Sequence, residues 1–418
     1  MSAAGPSSHI QRPILYHLPA LLLALTTFFI PIKPAPANLF LVLTLFSVFL
    51  TTTHRSQLQK TLLSAVGLAS LGFFAMLVMS QLYSNSTWAD AGDYLSKYAR
   101  LAYIPFLAAA VLNRHHVIWV LASFSAGMLL TLLLSFSIVI HPESCDLLML
   151  RGCGPQSNPT VFKLHITQNY FMALAAALWA YFFLLLQARP QTRTWSLVAL
   201  VFAALALMNV LFMVDGRTGW VVVGVLLSYL FYQRFGLKGA LAGAIVTVFL
   251  LVLALVLVPA LQQIFGAALQ EFHTWMKHGV AEGRSGMRLT YYTHAVQAIA
   301  EKPLFGHGLG GVRHALNLAA LNDPNFALNN PHNQYLLFGV QIGLLGLAMY
   351  LAYLGFLFRA SMQLPVGRNL PTAFLLTFAV GNLFNSFHFD MSEAMLFMVS
   401  TALVCSGCAG SLKGATRV

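Results

Sequence analysis

The chain has 418 residues, of which 58% are hydrophobic and 8% charged, with 23 Lys and Arg against 11 Asp and Glu. A soluble domain carries about 25% charged residues, so this composition excludes a water-soluble globular protein. A net charge of +12 would suggest nucleic acid in such a protein, but here it is assigned to loops at a membrane surface, and no nucleic-acid partner is expected.

A spanning helix needs about 20 mostly apolar residues. Twelve stretches qualify in chain order: 14–32, 37–53, 61–82, 95–112, 117–140, 165–187, 194–214, 217–233, 239–258, 333–358, 370–388 and 391–410. The first reads as a retained span, because Pro19 interrupts it and no small-residue cleavage site follows. No stretch has soluble-domain composition, so residues 1–418 are expected to form one all-α polytopic membrane domain of about 12 transmembrane helices. With the N-terminus inside, the inner loops carry Arg12, Arg55, Lys60, Arg114, Arg189, Arg193, Arg234, Lys238, Arg359, Arg368, Lys413 and Arg417 and no acid, while all 11 acids fall outside. That partition predicts two cytoplasmic termini.

Two outer loops are long. The first, 141–164, holds Cys145 and Cys153, which would pair in an oxidising compartment. Cys405 and Cys408 near the last span read as buried thiols. The second loop, 259–332, opens with an apolar stretch, 260–278, suited to an interfacial helix. Helical periodicity follows over 286–301 and stops before Pro303. Gly306, Gly308, Gly310 and Gly311 then form a turn.

Basic residues outside work against topology, so each needs another reason: Lys33, Lys97, Arg100, Arg151, Lys163, Arg217, Lys277, Arg284, Arg288, Lys302 and Arg313. Arg217 stands in Asp215-Gly216-Arg217-Thr218-Gly219-Trp220, at the start of a span. Arg284 and Arg288 are four apart and share a helical face, where their mutual repulsion would be relieved by an anion. Guanidinium forks onto phosphate oxygens, so a diphosphate at the outer surface is a natural ligand. The plainer alternative is that these arginines snorkel or pair locally, Arg217 with Asp215 and Arg288 with Glu282 or Glu301.

Asn330-Pro331-His332-Asn333-Gln334-Tyr335 ends the long loop. Pro331 suits a helix start, which would put His332 in the first turn, near the positive end of the helix dipole. A neutral imidazole there would serve as general base on a sugar hydroxyl, and the alternative is a histidine that merely caps the helix. Gly306-His307-Gly308-Leu309-Gly310-Gly311 follows a helix rather than a strand, so it is no dinucleotide fingerprint, and no P-loop occurs. No outer Asp-x-Asp pair occurs either, which disfavours a Mg²⁺-dependent transfer; neither a metal nor a cofactor is expected.

At these residues the chain resembles the O-antigen ligase and polymerase superfamily. Gly216-Arg217-Thr218-Gly219-Trp220 is similar to that family's Ser-Arg-Thr-Gly-Trp motif. Arg288 followed by Pro303-Leu304-Phe305-Gly306-His307-Gly308 resembles its Arg, amphipathic helix and Pro-Leu-Phe-Gly-x-Gly turn. His332-Asn333-Gln334-Tyr335-Leu336 and Gly343-Leu344-Leu345-Gly346 resemble its His-Asn-x-Tyr-Leu and Gly-Leu-x-Gly stretches. The matching region covers about 205–350. Departures are Gly216 in place of Ser, Tyr292 near a frequent Trp, and His307 in place of a small apolar residue.

The resemblance implies a glycosyltransferase of the C-type fold in the bacterial inner membrane, with its long loop 259–332 in the periplasm carrying part of the active site. The donor would be O-antigen on undecaprenyl diphosphate and the acceptor lipid A–core, among membrane lipid. By position, Arg217 and Arg288 would hold the diphosphate, with Arg284 added on spacing alone. His332 would activate the acceptor hydroxyl, and Asn333, Tyr335 and Trp220 would support the site. Transfer would be metal-independent and inverting. An O-antigen polymerase and a protein O-oligosaccharyltransferase share these motifs. A transporter of the same lipid is the alternative of a different class, although charges clustered at one surface suit surface chemistry better than transport.

Overall fold

The computed structural model describes residues 13–142, 158–187, 190–257, 259–279, 283–319, 330–364 and 369–408, and these fold into helices joined by short turns. Cys145 and Cys153 lie outside the described residues. In chain order the helices are α1 (Pro13–Phe29), α2 (Pro34–Ser47), α3 (Thr52–Leu62), α4 (Ala65–Met79), α5 (Trp88–Tyr98), α6 (Arg100–Ala110), α7 (Arg114–Ile140) and α8 (His165–Gln187). They continue as α9 (Arg193–Met208), α10 (Arg217–Leu257), α11 (Pro259–His278), α12 (Gly283–Glu301), α13 (Val312–Ala319), α14 (Gln334–Met362), α15 (Asn369–Gly381) and α16 (Met391–Cys408).

Seven helical stretches among the described residues are long and apolar enough to cross a membrane: Ala65–Tyr83, α7, α8, Pro190–Met213, α10, α14 and α16. The chain is thus a polytopic, all-helical membrane protein. Burial separates centre from rim. The α16 window is 78% buried, whereas that of α10 is 6% buried at a mean hydropathy of 2.9. A helix that apolar and that exposed has lipid as its solvent. Cys405 is buried, but Cys408, at the end of α16, is exposed, contrary to expectation.

The second and third predicted spans are built differently from the sequence reading. Helix α2 stops at Ser47, and α3 runs at 101° to it. The cause is local: Thr51 adopts an extended backbone and its hydroxyl accepts from the His54 amide, starting a new helix. Gly236 breaks α10 with φ 65°. The two arms then pack antiparallel: a Cβ on Gly224 would lie 2.6 Å from Thr247 Cγ2, and one on Gly243 2.7 Å from Ser228 Cα. This hairpin keeps the two predicted stretches 217–233 and 239–258 as separate arms.

The stretch expected as a single span at 333–358 is also broken, at Gly343 (φ 66°). The rings of Phe338 and Tyr350 are 4.7 Å apart, and those of Tyr335 and Tyr350 5.8 Å. In a continuous helix the first pair would be separated by about 18 Å along the axis. Residues 334–342 therefore double back on the following span.

The glycine turn plugs this break. His307 N donates to Val340 O (2.8 Å), Gly308 N to Gln341 O (2.8 Å), and Leu344 N to Pro303 O (2.7 Å), satisfying groups that the broken helix leaves free. A Cβ on Gly343 would sit 2.3 Å from the Leu304 carbonyl carbon, so only glycine fits there.

Candidate functional site

One end of the bundle collects the chemistry. Asp215 meets Arg284, the Asp215 amide meets Asn158, Lys163 reaches Ser392, and His332 reaches Asn385, so turns far apart in sequence share one face.

His332 precedes the helix rather than lying within its first turn, as the sequence reading had it. Asn333 is the N-cap: its Oδ1 accepts from the amides of Tyr335 (2.9 Å) and Leu336 (3.1 Å). An amide side chain satisfies these orphan donors better than an imidazole can, which moves the start of the helix one residue on. His332 takes φ 53°, the only non-glycine residue with positive φ among those described. A bulky residue held there is strained, and such strain concentrates at functional positions.

The surroundings hold it. The His332 amide donates to Asn330 Oδ1 (3.0 Å), which also accepts from Ser386 Oγ (2.6 Å). Asn333 Nδ2 donates to Leu383 O (2.9 Å), and Gln334 N to Asn382 O (2.9 Å). The His388 amide donates to Gln334 Oε1 (3.0 Å), and Tyr335 Oη to Ala379 O (2.6 Å). Asn333 and Tyr335 thus serve the scaffold.

His332 Nδ1 lies 3.1 Å from Asn385 Oδ1, and the ring stacks on Tyr291 at 5.9 Å. A carbonyl oxygen only accepts, so this pairing favours the tautomer with the proton on Nδ1 and the lone pair on Nε2. Burial lowers the imidazole pKa below its ordinary value. The Asn385 bond opposes this and the Arg288 charge adds to it. Desolvation rather than the helix dipole is thus the main influence favouring the neutral ring.

The three arginines converge on the same face. Arg217 opens α10 and donates to Ser285 Oγ (3.2 Å) and Ile264 O (3.4 Å). Arg284 pairs with Asp215 at 3.2 Å, so Asp215 serves Arg284 rather than Arg217. Arg288 pairs with no described carboxylate; Glu301 stands 4.0 Å from His307, and Glu282 lies outside the described residues. Burial works against the charge on Arg288, and the fields of Arg217 and Arg284 add to the penalty. Among the described residues two of these guanidiniums form no ion pair, and with the third beside them positive charge is in excess at the site.

Two other cations predicted outside have local partners: Lys97 bridges to Asp93 (3.5 Å) and lies 3.2 Å from the centre of the Phe389 ring, and Lys163 donates to Ser392 Oγ (2.8 Å). Arg100 donates to Lys97 O (2.9 Å), while its buried Nε meets no partner among the described residues.

The Arg217 turn is built by Asn169 of α8, whose Nδ2 donates to Val214 O (3.2 Å) and Gly216 O (2.6 Å). A Cβ on Gly216 would lie 2.3 Å from that Nδ2. The glycine is the space Asn169 occupies, which accounts for the departure from Ser. Trp220 braces the same turn, donating to Val210 O (3.0 Å) in the π-helical turn Asn209–Met213 and stacking on Phe265 at 6.2 Å. The start of α12 is fixed by Glu271, which accepts from the Ser285 amide (2.8 Å). Burial opposes the charge on Glu271, but the Ser285 bonds and the Arg217 field outweigh it and hold its pKa low.

The sequence reading missed two participants. Asn385 meets the imidazole at Nδ1, and Asn169 builds the Arg217 turn. Asn in isolation carries no motif, and these two act only through the fold. Among the described residues, no three His, Cys, Asp or Glu are grouped to hold a metal ion.

Residues 202–351, which contain Arg217, Arg284, Arg288 and His332, match the family model described as O-antigen ligase. A search of curated proteins found no match. This match over about a third of the chain supports membership of the O-antigen ligase/polymerase superfamily.

Proposed function

From that similarity and the geometry of the site we propose that the chain transfers O-antigen from undecaprenyl diphosphate to lipid A–core at the periplasmic face of the inner membrane. One observation carries the reading: an imidazole whose Nδ1 meets Asn385 lies within the field of Arg288, one of a cluster of guanidiniums, two of them without an ion pair among the described residues. The surplus positive charge suits a diphosphate, and the free nitrogen suits a hydroxyl proton.

The step follows. His332 Nε2 takes the proton of the acceptor hydroxyl. The oxygen attacks the anomeric carbon and forms the new glycosidic bond as the bond from that carbon to the phosphate oxygen breaks. Undecaprenyl diphosphate leaves with the electron pair, its growing charge held by Arg217 and Arg288. The proton returns from His332 to water, and single displacement inverts the anomeric centre. Arg284, half-committed to Asp215, contributes less. Both termini would lie in the cytoplasm.

The test is transfer by purified protein in liposomes containing undecaprenyl-diphosphate glycan and lipid A–core, with EDTA present. Glycan on lipid A–core supports the ligase reading. A ladder of lengthened donor with a bare core would make the chain a polymerase.

A further inference from the structure

A second polar site lies at the other end of α12. A cavity of about 400 Å³ opens behind the glycine turn, lined by Asn85, Ser86, Lys302, Arg313, His314 and Asn317 among others. It shares no residue with the arginine cluster. Lys302 follows α12 directly, 14 residues after Arg288, so the two sites are separated by roughly 20 Å along the helix.

The cavity is built into the fold. The wall carrying Asn85 and Ser86 is fixed to the glycine turn: Ser84 Oγ donates to His307 O (2.8 Å), Gly310 N to Gln81 Oε1 (2.9 Å), and Tyr83 Oη to Phe305 O (2.7 Å). Cβ atoms on Gly308 and Gly310 would fall 2.4 Å from Ser84 Cβ and Ser86 Oγ, so this close approach requires glycine. Buried His307 locks the turn to α12 through Nε2 and Ala298 O, 2.8 Å apart.

Its charge is unbalanced. Asp90 is the acid in the lining; its Oδ2 accepts from Thr87 N (3.0 Å) and Thr87 Oγ1 (2.7 Å), and its charge, which Arg313 feels, offsets one of the two cations and not the other. Lys302 and Arg313 face the cavity with no described ion pair. Two cations and His314, interleaved with amide and hydroxyl groups, match a ligand that is both anionic and polyhydroxylated.

We infer that this cavity binds an anionic saccharide portion of the acceptor. The inference rests on the function proposed above. There the donor is anchored by its diphosphate, but the acceptor presents only an uncharged hydroxyl to His332. An extended acceptor needs an anchor elsewhere, and the cavity supplies one at a distance an oligosaccharide spans and a single sugar does not.

The experiment uses the full chain in detergent and two probes: a lipid-free core oligosaccharide carrying phosphate groups, and the same oligosaccharide after phosphatase treatment. The wild type is expected to bind the phosphorylated probe at least tenfold more tightly than the treated one. Lys302→Ala with Arg313→Ala should remove that difference, and Arg288→Ala should leave it intact. In transfer assays the double variant should raise the acceptor KM about tenfold at unchanged donor KM and kcat. Equal binding of the two probes by the wild type, no effect of the double variant, or a rise in donor KM alone would overturn the inference. If transfer proceeds normally and binding ignores Lys302 and Arg313, the cavity assignment fails and the ligase reading stands. If no transfer occurs and binding still depends on them, the reverse holds.

Discussion

The imidazole and the guanidiniums of the site are held by opposite means. His332 sits in a strained backbone position inside a lattice of hydrogen bonds between 330–335 and 382–390. Arg217 opens α10 and Arg288 lies in the second turn of α12, and among the described residues neither pairs with a carboxylate. A base has one productive position, set by a single proton, so rigidity serves it. Cations that follow a diphosphate from ground state to leaving group must adapt, and surplus charge serves them better than fixed partners.

The largest effect should come from the rigid side. His332→Ala is expected to lower kcat by about 100- to 10,000-fold, the range of general-base catalysis, while donor binding persists. Loss of donor binding in that variant would erase the division of labour. On the adaptable side, Arg288→Ala should cost about 1.5–3 kcal/mol in kcat/KM for the donor, roughly 10- to 150-fold, the worth of hydrogen bonds to a charged group. Arg284→Ala should cost less, because Asp215 already neutralises part of its charge. Equal losses for the two arginines would show that carboxylate pairing does not grade them.

The scaffold behind both can be probed by thermal unfolding. Gly343→Ala places a methyl group 2.3 Å from the Leu304 carbonyl carbon at φ 66°, and strain of about 1–3 kcal/mol or more is expected as a lowered Tm. Gly72→Ala, where a Cβ meets nothing within 4 Å, should leave Tm unchanged or raise it slightly. Similar Tm values for the two would remove the docking role of the glycine turn.

The smallest expected effect concerns pH. The base works as neutral imidazole, so activity falls as pH drops through a His332 pKa that lies below its ordinary value. Asn385→Asp adds a negative neighbour that favours the imidazolium, and Arg288→Gln removes a positive one. Both raise that pKa, so the acid limb of kcat/KM should move to higher pH. An unmoved limb in both variants would assign the pH dependence to another group.

How much of this was legible in the sequence differs by level. Apolar runs located the helices, because lipid forces every backbone group to be satisfied within its own segment. Arg217, Arg288 and His332 stood out through charge placement and motif. What stayed hidden depends on partners distant in sequence. Arg284 groups with Arg288 by spacing, but its ion pair with Asp215, 69 residues away, exists only in the fold. Gly343 falls inside the predicted span 333–358 with no sign of a break, since that break is stabilised by a turn some 40 positions upstream. Asn385 carries no pattern, and its role exists only because the 382–390 turn packs on Asn330 and His332.

The central claim is that His332 activates an acceptor hydroxyl against a diphosphate held by arginines. The most direct measurement supplies undecaprenyl-diphosphate glycan and lipid A–core to liposomes containing wild type or His332→Ala. Glycan is expected on lipid A–core with the wild type and not with the variant, although both retain the donor. Transfer by His332→Ala at the wild-type rate would contradict the account.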